Sequence, residues 1–189
     1  MATQGVVGWI AVEGMEQGRI LEALSLVPAP DARKPKASIC TLPNGWSVLF
    51  TVDFGFPTPE RMAVLSADGA AIAVSADDRS MFSVVRGYEQ GKAVFAIEHD
   101  GGSQGVRHME TVGKAPAAWA AILDQASREQ DQEDQGDAEV DYLFDAPMAL
   151  AFALCGYRHD KPWPDGPQHE MTLLAERKGP GLLGRLFGR

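Results

Sequence analysis

The pair Asn44-Gly45 constrains the fold of this chain more than any other local feature. It stands in "SICTLPNGWSVLFTVDFG" (38–55), between two runs rich in apolar, β-branched and aromatic residues. An Asn-Gly pair in this setting favours a tight turn with positive φ, and therefore a β-hairpin. The chain is thus predicted to contain an antiparallel sheet.

Further strands are predicted on both sides of this hairpin. "VVGWIAVEG" (6–14) is a short β-branched and aromatic run that ends at a glycine. After the hairpin, three apolar runs separated by turn residues predict an antiparallel meander. They are "AAIAVSADD" (70–78), "SMFSVVRGYEQG" (80–91) and "KAVFAIEHDGG" (92–102). "GVRHMETVG" (105–113) and "HEMTLLAERK" (169–178) are two further candidate strands.

Two helices are predicted among the early strands. The apolar residues of 15–27 recur near helical spacing, so a helix is expected there that ends before Pro28. Thr58 can act as the N-cap of the second helix, with Pro59 at its first position and Gly69 after its end.

Two more helices are predicted in the second half of the chain. Apolar residues from Trp119 to Ala126 follow the i, i+3, i+4, i+7 stripe of a helix. Asp145 can cap the last helix, which has almost no polar face and is therefore expected to be buried. Gly156 supplies its stop.

The predicted fold class is α+β, with a mixed, mostly antiparallel sheet. Through residue 76 the predicted order is β-α-β-β-α-β, the order of a split βαβ unit, so a ferredoxin-like arrangement is one candidate topology. A meander and two C-terminal helices follow. We expect one compact domain over residues 1–178 and a flexible basic, apolar tail over 179–189.

Composition fits a globular cytosolic protein. Hydrophobic residues make up 45% and charged residues 23% of the 189 residues, which is ordinary globular usage. The first residues lack a basic leader, and no apolar run is long enough to span a bilayer. Cys40 and Cys155 form no C-x-x-C pair, so both are expected to be buried, small apolar residues rather than a disulfide framework.

The net charge of −9 is concentrated in one segment. Nine acidic residues and one arginine between Asp124 and Asp145 give that segment −8. We expect an acidic mobile segment at about 128–141, because so polar a tract buries little surface. Without a broad basic footprint nucleic-acid binding is disfavoured, whereas a basic protein partner is favoured.

Two His-Asp pairs suggest a metal site as the alternative to a binding role. His99-Asp100 and His159-Asp160 could hold a divalent ion with an open water position, as in a metal-assisted hydrolase. No H-x-H or H-E-x-x-H spacing accompanies them, and neighbours in a strand point to opposite faces. We therefore assign no catalytic residue, metal ligand or cofactor from the sequence.

The run "GYRHD" (156–160) permits a structural and a functional interpretation. Arg158 can bond the last helix carbonyls and pair with Asp160 as the chain leaves the core. Alternatively, one exposed loop presents the aromatic and charged residues that dominate protein interfaces. These candidate interaction residues are Tyr157, Arg158, His159, Asp160 and Trp163.

The tail "GPGLLGRLFGR" (179–189) carries a second candidate contact. Leu182, Leu183, Leu186 and Phe187 form an apolar face on a short helix that also holds Arg185 and Arg189. So short a helix is marginal alone, so it needs a partner or the body of the protein to become ordered. Docking is favoured over a membrane contact, because the four cations after Glu176 (Arg177, Lys178, Arg185 and Arg189) and the four apolar residues anchor only weakly.

The segments "LPNGWSVLF", "FAIEHDGG" and "YLFDAPMALAFALCGYRHD" together resemble a family of small acidic bacterial α+β proteins with a "GYRHD"-like ending. The resemblance spans roughly residues 40 to 160 and implies a bacterial cytosolic protein, with no activity to carry over. We expect a non-catalytic binding protein of regulatory or toxin-immunity type. The alternatives are the metal-assisted hydrolase and an assembly or scaffold subunit, and the oligomeric state is not determined by the sequence.

Overall fold

The computed structural model describes residues 5–136, 140–161 and 171–177. Its strands are β1 (Val6–Glu13), β2 (Leu26–Pro28), β3 (Ala37–Thr41), β4 (Trp46–Thr51), β5 (Ala70–Asp77), β6 (Phe82–Glu89), β7 (Lys92–Asp100), β8 (Glu110–Gly113) and β9 (Thr172–Glu176). Its helices are α1 (Gln17–Ala23), α2 (Pro59–Leu65), α3 (Gly101–Gln104), α4 (Trp119–Glu133) and α5 (Ala146–Cys155). The α+β class is confirmed.

The nine strands form one sheet in the order β2-β9-β3-β4-β1-β5-β6-β7-β8. Each described pair of neighbouring strands is antiparallel. The meander β5-β6-β7 is confirmed, and both further candidate strands exist, as β8 at the edge and β9 between β2 and β3. The sheet is therefore assembled from residues far apart in the chain.

Helices cover both faces of the sheet. On one face α1 and α2 contribute Ile20 and Met62 to an apolar cluster that includes Ile10. On the other face α4 and α5 pack over Trp9 and its neighbours. Because successive side chains of a strand point to opposite faces, β1 supplies both clusters in turn. Among the described residues, no helix is long and apolar enough to cross a membrane.

The predicted hairpin is confirmed as β3-β4, and its turn also supports α5. The Gly45 amide donates to the Leu42 carbonyl at 3.0 Å, and Gly45 has φ +89°. The Asn44 side-chain amide donates to the carbonyl of Cys155, the last residue of α5, at 2.9 Å. One asparagine thus shapes the hairpin and satisfies a helix-end carbonyl that otherwise lacks an intrahelical partner.

Replacing Asn44 by alanine is expected to lower the free energy of unfolding by about 1–2 kcal/mol, because the Cys155 carbonyl loses its donor. Urea denaturation measures the change. Gln132→Ala, on an exposed position of α4, is a suitable control and is expected to stay within about 0.5 kcal/mol of the wild type. Equal midpoints for Asn44→Ala and the wild type would show that this bond contributes nothing.

Two details of the predicted early order are wrong. Helix α1 ends at Ala23 rather than just before Pro28, because Ser25 adopts φ +54° and turns the chain. The following residues form β2, which pairs with β9, so the order begins β-α-β-β-β-α-β. After β7, residues 101–104 form the short helix α3, and the side chain of its N-cap residue, Asp100, accepts from the Ser103 amide at 3.0 Å.

The acidic tract is helical for more of its length than its composition suggests. Helix α4 continues to Glu133, so 128–133 is not a loop. Gln130 is 1% exposed, and its side-chain oxygen accepts from the Tyr142 amide at 2.9 Å. Residues 137–139 lie outside the described residues, and the mobility of the segment stays a prediction.

Candidate functional site

The segment after α5 lies against the sheet beside that helix. Gly156 ends the helix as predicted, with φ +77°. The Tyr157 ring then meets Trp9 edge-on, with the ring centroids 5.1 Å apart. The His159 ring stacks on Phe50 at 6.2 Å. Because Trp9 and Phe50 belong to β1 and β4, the segment covers these two strands rather than leaving the core.

Arg158 lies between two carboxylates. Its guanidinium makes two bonds to Asp160, at 2.6 and 2.9 Å, and one contact with Asp145 at 2.8 Å. The arginine side chain is only 6% exposed, against 52% for Asp145 and 29% for Asp160. Burial, the largest influence, works against the charge on Arg158, but the two carboxylates outweigh it and raise its pKa.

The predicted exposed loop is therefore wrong for two of its residues. Tyr157 and Arg158 are each 7% exposed, His159 is half-buried and Asp160 is exposed. Trp163 lies outside the described residues. The predicted pairing of Arg158 with Asp160 is confirmed, whereas the helix-end carbonyl is bonded by Asn44 instead. Asp145 occupies the N-cap position of α5 without a side-chain cap bond, because its carboxylate contacts Arg158.

The His159 side chain is a half-buried ring that packs on Phe50. Burial lowers its pKa, and the nearby Asp160 only partly opposes that shift. Its Nδ1 is buried with no hydrogen-bond partner in the part of the chain that the structure describes. The imidazole is thus uncharged at neutral pH and contacts Phe50 through its face.

His99 forms a buried ion pair that connects β7 with the segment before α5. Its Nε2 lies 2.9 Å from Asp141 Oδ2, and its Nδ1 lies 2.8 Å from the His108 carbonyl oxygen. Both neighbours are acceptors, so the protonated ring, with a hydrogen on each nitrogen, donates to both. Burial, the largest influence, opposes the charge, but Asp141 and the carbonyl outweigh it and raise the pKa of His99.

Glycine 101 permits this close approach. A Cβ at position 101 would lie 2.5 Å from the Asp141 carboxylate and 2.7 Å from His99 Nε2. Asp141 also accepts from the Phe144 amide at 3.0 Å. Since both nitrogens of His99 are engaged and its side chain is 0% exposed, neither nitrogen is free to act as a general base.

The two predicted His-Asp pairs do not form one site. His99 is on β7, whereas His159 stacks on β4, four strands away in the sheet, or about 19 Å at the usual strand spacing. Asp100 caps α3 and Asp160 pairs with Arg158. No group of three or more potential ligands occurs among the described residues. The hypothesis of a metal-assisted hydrolase therefore lacks the combined His-Asp site on which it was based.

Both cysteines are buried, as predicted. Burial raises the pKa of Cys40 to about 11 and that of Cys155 to about 12. Because the thiolate is the nucleophile, neither thiol is activated.

The acidic residues of α4 form a charged surface held in place by one arginine. Arg107, in the α3-β8 connection, bonds the carboxylates of Asp131, at 2.7 Å, and Asp134. Asp124 is paired with Arg128 along the helix. Glu129 and Glu133 are partly exposed on the same helix. Two arginines among five acids leave this surface negative, so the predicted charge segregation extends to the folded chain. We call these five residues the α4 acidic surface.

Sequence reasoning missed Asp141 as the partner of His99. Forty-two positions separate the two residues, and Asp141 stood within a run of acids that is typical of a solvated tract. Only the burial pattern of the folded chain distinguishes this carboxylate from its neighbours.

The candidate contact residues Leu182, Leu183, Leu186 and Phe187 lie outside the described residues. Comparison of the chain with protein-family models, with curated proteins and with solved structures gives no match. The resemblance to small acidic bacterial proteins thus stays a prediction.

Proposed function

We propose that this chain is a cytosolic, non-catalytic binding protein of regulatory or toxin-immunity type, which contacts a basic protein partner. The observation that carries the proposal is the α4 acidic surface. Its acids are exposed or partly exposed, and a bonded arginine fixes two of them in position. A fixed negative surface of this kind attracts and orients a positively charged partner.

The charge also sets how such a complex responds to salt. Exposed charges are screened over about 8 Å at physiological ionic strength. Association with a basic partner is therefore expected to be fast at low salt and to slow as salt is added, whereas dissociation changes less.

Neutralising Asp124, Glu129 and Asp131, by Asn, Gln and Asn, is expected to weaken binding of a basic partner about tenfold or more. The bait is the full chain, and captured proteins are identified in parallel pull-downs with wild-type and variant baits. Each candidate partner is then purified and titrated at two salt concentrations. Only a basic protein whose affinity falls with the variant and with salt supports the proposal.

The triple variant Glu16→Gln, Glu22→Gln and Asp31→Asn is the matched control. It removes the same charge from exposed positions at the N-cap of α1, within α1 and after it. Helix α1 packs on the opposite face of the sheet from α4. If both triple variants weaken binding equally, only the total charge matters and the α4 acidic surface is not the contact. If neither does, the proposal fails.

We also propose that residues 6–77 form a ferredoxin-like unit. Its support is the order β3-β4-β1-β5 of neighbouring strands and the packing of α1 and α2 into one cluster on the same face. β4 between β1 and β3 is the arrangement of a split βαβ unit.

A further inference from the structure

An apolar cleft of about 700 Å³ opens at the end of the sheet where β1 finishes and β4 begins. Leu154 of α5 forms one wall and residues 114–117 form the other. Ile72 and Phe95 line it from the sheet, and Trp46 lies at its side. The volume is within the usual range of about 300–1,000 Å³ for ligand sites.

Local backbone features open this cleft. The pairing of β6 with β7 shifts register between Gly87 and Tyr88, which is a bulge that re-aims side chains. The Phe95 ring lies on Gly87, where a Cβ would come within 2.0 Å of the ring. Gly113 has φ +78° and turns the chain, so that residues 114–117 cross to the far wall.

An acidic rim adjoins the cleft. A second, open pocket shares Ala70 and Glu89 with it and is also lined by Glu13 and Asp68. Asp68 is paired with Arg19, whereas Glu13 and Glu89 have no ion pair within the described part of the chain. One cation, Lys114, lies on the opposite wall. The site thus joins an apolar cleft to two unpaired carboxylates.

We propose that this cleft binds residues 182–187 of a second copy of the chain. The sequence of that segment, LLGRLF, offers large apolar side chains for the cleft, and Arg185 and Arg189 suit the carboxylates of the rim. The proposal is independent of the α4 acidic surface, which lies on another part of the molecule.

The reach of the chain selects a second copy over the chain's own segment. Arg177 directly follows β9, and β9 pairs with β3. In this pairing the last residues of β9 lie at the opposite end of the sheet from Trp46. Trp46 lies two strand spacings across the sheet from the end of β9 and about seven residues along the strands. The distance from the end of β9 to Trp46 is therefore about 26 Å. Five residues from Arg177 to Leu182 span at most about 18 Å. Leu182 therefore cannot reach Trp46 in its own chain, so residues 182–187 can fill the cleft over their full length only from a second copy.

A head-to-tail contact of this kind leaves one cleft and one segment free in every dimer, so it continues into rings or chains. Wild-type protein is expected to show an average mass that rises with concentration in sedimentation equilibrium. The cleft variant Glu13→Lys/Glu89→Lys and the segment variant Leu182→Asp/Leu186→Asp should each weaken association about tenfold or more.

Mixing the two variants provides the decisive measurement. The segment variant keeps an intact cleft and the cleft variant keeps an intact segment, so an equimolar mixture should form one-to-one dimers and nothing larger. Glu22→Lys/Glu110→Lys, which makes the same charge change at exposed positions that line neither pocket, should associate like the wild type. Far-ultraviolet circular dichroism confirms that each variant is folded.

A wild-type chain that stays monomeric at every concentration overturns the proposal. The proposal also fails if the cleft variant associates as strongly as the control variant. It fails equally if the mixture of the cleft variant and the segment variant stays monomeric. The other possible occupant of the cleft is a small molecule, which native mass spectrometry would detect. A small molecule bound to the monomer in place of a second copy also contradicts the proposal.

Discussion

Asp141→Ala is expected to lower the free energy of unfolding by about 3 kcal/mol at about pH 6, because it breaks a buried ion pair. His99 is 0% exposed and its Nε2 donates to this carboxylate. The substitution also removes the acceptor of the Phe144 amide. Urea denaturation followed by tryptophan fluorescence measures the change, with Glu110→Ala on an exposed position of β8 as the control.

The loss is expected to depend on pH in a defined direction. The pKa of His99 is raised in the folded state, above an unfolded value of about 6.5. Its contribution to stability is therefore complete below about pH 6.5 and is lost as the pH rises through the folded pKa. The stability curves of the wild type and Asp141→Ala should approach one another on going from about pH 6 to about pH 9.

Asp141→Asn separates the charge from the hydrogen bonds. An asparagine oxygen can accept from the Phe144 amide while its NH₂ donates to a neutral His99. This variant should lose the pH dependence like Asp141→Ala, yet remain more stable than it throughout. Two parallel curves for the wild type and Asp141→Asn would show that His99 carries no charge in the folded protein.

The elements predicted best from the sequence are those that local chemistry specifies. The Asn44-Gly45 turn, the Thr58 cap with Pro59, and the Gly156 stop all depend on residues within a few positions of one another. Each of these has the expected structure, since Thr58 accepts from the Arg61 amide and both glycines have positive φ. Meander strands belong to the same class, because short turns join their neighbours.

Contacts between distant segments could not be predicted in this way. Strand β9 enters between β2 and β3, although more than a hundred positions separate it from either, and the short β2 exists only because β9 pairs with it. The cleft beside Trp46 likewise collects its walls from several strands, a loop and α5. Periodicity within a segment carries no information about such partners.

The "GYRHD" segment shows where the two kinds of information meet. Gly156 predicts correctly that the helix ends, but a helix stop does not specify whether the chain then enters solvent or returns to the core. The contact with Trp9 beside α5 decides the matter, because burying the Tyr157 ring against Trp9 removes apolar surface from water.

Asp160→Ala is expected to lower the free energy of unfolding by about 2–3 kcal/mol, because it leaves a buried guanidinium with one carboxylate. The Arg158 side chain is 6% exposed, and its remaining partner, Asp145, is 52% exposed and therefore well solvated. As a matched control, Asp68→Ala removes a carboxylate from the exposed pair with Arg19, 63% and 72% exposed. That change is expected to cost about 0–1 kcal/mol.

The double variant Arg158→Met/Asp160→Ala tests whether the two residues stabilise the fold by interacting with one another. Methionine fills much of the space of the arginine stem without a charge to solvate, and Asp145 can turn to water. The double variant should therefore be more stable than Asp160→Ala alone by about 1 kcal/mol or more. Strictly additive effects of the two single substitutions in urea denaturation would mean that Arg158 and Asp160 do not stabilise one another. The segment after α5 would then be held by the packing of Tyr157 and His159 alone.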